Sequence, residues 1–182
     1  MLITLFIAIF FFTSCSLGGS RTAMLNKAND GKKADNWLEQ IIEIINSKDK
    51  ESLKGLFSEQ ALTEADHFDE NIEYLYDFLN GEIKSWERAA GPVISENINR
   101  GYNKKVSQVV YFLFTESNKF QLYFLEYIID TDYPENVGIF MLRVINSEDE
   151  DTPIEWGGDT HCAGIYRPDE VDVCNSEELL QD

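Results

Sequence analysis

The apolar pattern of this chain changes period once, at Gly81, and that change constrains the fold more than any other feature. Upstream, apolar residues recur at three and four positions, the spacing of a helix face. Trp37, Leu38, Ile41, Ile42 and Ile45 make one broad stripe, with Asp35 placed to cap a helix that runs through Asn46. Asp49 can cap a second helix with Leu53, Leu56 and Phe57 inward, and residues 58–66 read as a short third turn. Asp69 can cap a further helix carrying Ile72, Leu75, Tyr76 and Leu79, with Gly81 at the left-handed position that ends it.

Downstream the period is two. "EIKSWE" is a short strand candidate, broken by Gly91-Pro92. Three long strands follow at 106–115, 120–130 and 137–146, separated by turn-rich segments at 116–119 and 131–136. Consecutive strands with short connections pair as an antiparallel meander, and strands of that length must twist and curve. The expectation is therefore an α+β domain over residues 35–168, N-terminal helices packed on a curved antiparallel sheet.

The order of helices, then "FLNGEIKSWE", then the strands through "FLEYIIDTDYPENVGIFMLRVI" and "AGIYRP", resembles a family of bacterial lipoproteins filed as domain of unknown function 5104. That family in turn resembles the nuclear transport factor 2-like cone, a curved sheet wrapped around helices. The resemblance implies a cavity-forming fold. It does not select an activity, because such cones host isomerases, dehydratases and non-enzymatic binding domains alike.

Location is read from the N-terminus. Residues 1–12 carry one polar side chain, Thr4. The run is too short for a bilayer span of about 20 residues but suits the apolar region of a secretory signal. Phe12-Thr13-Ser14-Cys15 resembles the bacterial lipobox. The resemblance implies that 1–14 are removed and that Cys15 becomes a diacylglycerol-modified first residue on the extracytoplasmic face, its acyl chains anchoring the protein to the membrane. Residues 15–34, with Arg21, Lys27, Lys32 and Lys33 against Asp30, read as a flexible tether over an anionic membrane surface. Residues 169–182 read as an acidic, solvated tail.

Charge narrows the partners. Fifteen Lys and Arg against 33 Asp and Glu leave a formal charge of −18, which repels nucleic-acid phosphates and attracts cationic proteins. Cys162 and Cys174 could form a disulfide outside the cytoplasm. His161-Cys162 has no second pair at ligand spacing, so neither a zinc site nor any other cofactor is expected.

Glu126 is the most informative residue for function. It shares a strand face with Phe120, Leu122, Phe124 and Ile128, which puts a carboxylate in an apolar layer. Arg143 stands similarly among Val137, Ile139, Met141 and Ile145. In a hairpin the two would meet, as a structural ion pair or as a pocket acid positioned by arginine. Trp86 adds a flat surface, as core or as a ligand platform. Asp66-His67 is a weak acid–base candidate. Asp130, Asp132 and Glu135 lack the glycine and later glutamate of a calcium loop. No nucleophile triad or phosphate loop is visible. Three functions are thus in play. The first is a membrane-anchored, non-catalytic binding module for a small ligand or partner protein. The second is an immunity or inhibitor protein against a cationic toxin. The third is a small isomerase or lyase using Glu126.

Overall fold

The computed structural model describes residues 17–149 and 162–167. Four helices come first: α1 (Leu17–Ser47), α2 (Lys50–Lys54), α3 (Glu59–Glu64) and α4 (Phe68–Leu79). Five strands follow: β1 (Ser85–Asn99), β2 (Tyr102–Phe114), β3 (Lys119–Asp130), β4 (Gly138–Asn146) and β5 (Gly164–Tyr166). The sheet order is β1-β2-β3-β4-β5, so sequence neighbours are spatial neighbours throughout. The first four strands form the antiparallel meander that the period-two pattern requires, and β5 adds in parallel to β4.

α1 begins at Leu17, not at Asp35, so the flexible tether expected over 15–34 is helical from Leu17 onward. Three glycines make this a poor helix in isolation, each costing about 1 kcal/mol relative to alanine. From residue 30 the helix is held by tertiary contacts: Gly31 and Ala34 are buried, and Asp30 meets Lys105 of β2. Asp35 does not cap anything. Its carboxylate accepts from Arg88 Nε at 3.0 Å, from Arg88 Nη2 and from Tyr111 Oη at 3.0 Å, while Arg88 Nη2 also donates to the Gly31 carbonyl at 2.8 Å. This clamp fastens the middle of α1 across β1 and β2.

Asp49 does cap α2, accepting from Ser52 N at 3.0 Å, and Ser58 caps α3 by accepting from Ala61 N at 3.1 Å. The left-handed ends of α4 are His67 and Asn80, rather than Asp69 and Gly81. Asn46, at the end of α1, donates to the Ile83 carbonyl and accepts from the Ile83 N–H, so its side chain substitutes for a strand partner where the chain enters the sheet.

Gly91-Pro92 does not break β1. The strand runs through this cis peptide, with its pairing shifted between Arg88 and Ala90 and again between Ala90 and Val93. Proline is tolerated because β1 is an edge strand. Gly91 is required there: at φ +86°, a Cβ would lie 2.8 Å from the Gln108 carbonyl oxygen.

The core lies between the helices and one sheet face. Leu38, Ile41 and Ile45 of α1 and Ile72, Leu75 and Leu79 of α4 are buried together with Val109, Tyr111, Leu113, Leu122, Phe124, Leu142 and Val144 of the sheet. Each such aliphatic or phenyl side chain contributes about 1.5–3 kcal/mol on full burial. Trp86 joins this core, its ring edge-on to Tyr111 at 5.5 Å. Cys162 is disulfide-bonded. Cys15, Cys174, His161 and the terminal segments lie outside the described residues.

Candidate functional site

A cavity of about 220 Å³ opens between the middle of α1 and the sheet. The helix contributes Asp30, Lys33, Ala34, Trp37 and Gln40, whose spacing of three and four residues places them on one face, with Asn36 beside them. The sheet contributes a row running straight across three strands: Ile94 of β1 pairs with Ser107 of β2, which pairs with Glu126 of β3. Ile128 completes the floor.

Two features leave this volume unfilled. The facing positions are small: Ala34 precedes Leu38 on the buried helix stripe, and Ser107 precedes Val109 and Tyr111 on the buried strand face. The pairing is also irregular all round the row. Register shifts fall between Ala90 and Val93 on β1, between Lys105 and Val106 on β2, and between Leu125 and Glu126 on β3. Such bulges bend strands and increase their local twist, so the strand residues here do not follow the regular packing of the sheet below.

Glu126 sits at the bottom of the cavity, only 9% exposed, and Ser107 beside it is 2% exposed. Burial pushes the Glu126 carboxyl above the usual carboxylate range, while the Trp37 side chain, as a hydrogen-bond donor, and the Lys33 charge both pull it back. Lys33 itself is exposed at the mouth. Asp30 is satisfied differently, lying 3.7 Å from the Lys105 ammonium with both side chains largely buried.

Arg143 is not part of this arrangement. It pairs across the sheet with Tyr123 on one side and Tyr166 on the other, its guanidinium 5.8 and 5.7 Å from the two ring centroids. Its Nη2 is buried without a hydrogen-bond partner, and burial lowers its pKa. The same enclosure pushes the Tyr123 hydroxyl up to about 12. The expected Glu126–Arg143 pair therefore does not form. Phe124 stands opposite Leu142, so Arg143, one residue on, points to the other face, and the shift after Leu125 sets Glu126 opposite Ile139. Trp86 lines the core beside Tyr111 rather than the cavity.

The chain belongs to the family described as Domain of unknown function (DUF5104). The match covers residues 40–147, from the last turns of α1 through β4. Within this DUF5104 chain the matched span holds the whole sheet side of the cavity, and of the helix side it includes Gln40. No curated protein matches the sequence.

The remaining candidates resolve into structural roles. Asp130 is buried and accepts from Tyr133 N at 3.1 Å and Asn136 Nδ2 at 2.9 Å, which ties off the turn before β4. Among the described residues no cluster of carboxylates, histidines or cysteines could hold a metal ion, and no helix is long and apolar enough to cross a membrane. His67 Nδ1 faces Glu70 at 3.7 Å and not Asp66. Sequence reasoning found Glu126 but missed Ser107, whose signal was a small hydroxyl on the strand face of Val109, Tyr111 and Leu113. Asp30 and Lys33 were assigned to a tether, which hid them.

Proposed function

We propose that this protein is a membrane-anchored extracytoplasmic lipoprotein whose domain, a nuclear transport factor 2-like cone, is a binding module for a small polar ligand. The observation that carries the reading is the Glu126 cavity. It sets a buried carboxylate among a hydroxyl, an indole and two carboxamides at one end of the helix–sheet interface. A carboxylate held at such a position costs folding free energy, and a cavity of this kind is the usual place for a ligand. The cone assignment is supported by helices lying along one face of long, bulged, meandering strands.

The anchor is assigned to Cys15, and α1 starts two residues later, at Leu17. Anchored through so short a connection, the domain would ride close to the membrane instead of on a long leash. Labelling cells with an alkyne-bearing fatty acid tests this: the label should enter the wild-type chain and be absent from Cys15→Ser. Ligand binding is tested by titrating the purified domain with small polar molecules while following its thermal transition. A saturable rise that Glu126→Gln abolishes supports the module.

A second reading is a small isomerase or lyase, favoured by the upward-shifted Glu126 carboxyl, because general acid–base catalysis needs a group poised closer to neutrality. If Glu126→Gln still binds a ligand that the wild-type protein converts but no longer converts it, the residue is catalytic.

A further inference from the structure

We infer that the ligand of this cavity is a zwitterion of amino-acid size, its ammonium group seated on Glu126 at the floor and its carboxylate on Lys33 at the mouth; this rests on the binding-module reading above. The argument starts from charge. Three charged side chains line the cavity, and among the described residues no ion pair joins Lys33 and Glu126 to each other or to any third group. The contrast with Asp30 is direct, since that carboxylate, on the same helix face, does take a lysine partner at 3.7 Å. Lys33 is near enough for its charge to act on Glu126, yet it stays exposed instead of closing on it. The cavity thus presents a separated pair, negative below and positive above.

The chemistry of the two ends follows. Glu126 is buried, so its ionised form lacks the water that would stabilise it, and an ammonium group delivered by a ligand supplies the missing counter-charge where the dielectric is low. An ammonium has three donors. The Ser107 hydroxyl, directly across the strand pair from Glu126, is an acceptor for a second of them. At the mouth, Asn36 and Gln40 are exposed carboxamides on the same stretch of helix as Lys33, and their N–H groups can complete the grip on a carboxylate. Trp37, Ile94 and Ile128 leave an apolar stretch of wall between the ends.

Volume sets the size. A cavity of about 220 Å³ displaces on the order of seven waters. That is room for one amino acid inside the cavity.

The test is calorimetric titration of the purified domain. The probes are the free α-amino acids and γ-aminobutyrate, alongside simple amines, carboxylates and neutral polyols, then the amide and N-acetyl derivatives of whichever zwitterion binds. The expected result is saturable binding of at least one zwitterion, with each derivative at least tenfold weaker. Glu126→Gln should remove binding. Lys33→Gln, an exposed change that leaves the fold intact, should weaken the zwitterion about tenfold while leaving its amide unaffected. Derivatives that bind as tightly as the parent would overturn the assignment. So would simple amines, carboxylates or neutral polyols binding in a Glu126-dependent way when no zwitterion does, although the binding-module reading would then stand. Silence across all of these probes would overturn both.

Discussion

Removing one hydroxyl from Tyr111 tests how α1 is held over the sheet. Tyr111 is fully buried, and its hydroxyl donates to Asp35 Oδ1 at 3.0 Å, on the carboxylate that also receives Arg88. Tyr111→Phe keeps the ring stacked on Phe124 and edge-on to Trp86, so the loss is confined to one hydrogen bond to a charged acceptor. Such bonds are worth about 1.5–3 kcal/mol. The Asp35 side chain is 27% exposed and can recover part of that from water. We expect a net loss of about 1–2 kcal/mol, which for a chain of this size lowers the melting temperature by roughly 2–8 °C. Urea unfolding of the wild type, Tyr111→Phe, Asp35→Ala and the double variant measures the coupling directly. A coupling of about 1 kcal/mol is expected, and a value below about 0.3 kcal/mol would refute the clamp, since independent sites add to within that margin. Burial, and then Asp35, push the Tyr111 hydroxyl well above the ordinary tyrosine value of 10. A raised folded-state pKa gives stability that is complete below pH 10 and is lost as pH rises through the folded value. Tyr111→Phe should therefore lose less stability than the wild type on going to strongly alkaline solution.

Three further outcomes are expected. Glu126→Gln should fold at neutral pH with stability equal to or above the wild type, because the buried carboxyl titrates above its unfolded value of 4.5 and its ionised form opposes folding; the advantage should shrink as pH falls toward 4.5, and a variant less stable at pH 7 by more than about 1 kcal/mol would contradict this. Gly164→Ala should destabilise by about 2–3 kcal/mol in chemical denaturation, since φ is +83° there and the new Cβ would lie 2.7 Å from Ala65 Cβ where β5 docks on α3 and α4. Leu38→Ala should cost about 2–5 kcal/mol, as Leu38 is fully buried at the centre of the helix–sheet contact; a smaller loss would mean that α1 can settle into the space.

Much of the architecture was legible in the sequence. The stripe from Trp37 to Ile45 does face the sheet, the three long strands lie within four residues of the expected bounds, and Asp49 caps its helix. Glu126 was legible too, as a carboxylate in phase with Phe120, Leu122 and Phe124. These features depend on periodicity and capping, which are set by residues a few positions apart and need no knowledge of the partner strand.

What the tertiary structure alone decided is which residues meet. Counting along two strands sets Arg143 beside Glu126, but the parity of the β3–β4 pairing puts it between two tyrosines, and a register shift after Leu125 sets Glu126 opposite Ile139. Asp35 had the position of a helix cap and became the anchor of Arg88 and Tyr111. Asp30 and Lys33 looked solvated until the helix extended back over the sheet and made them part of the cavity wall. By itself the sequence determined helices, strands and their order, because these follow from local backbone geometry. The cavity arises from small side chains and bulges meeting across elements whose lining residues are 54 to 98 positions apart in sequence, and no local pattern carries that information.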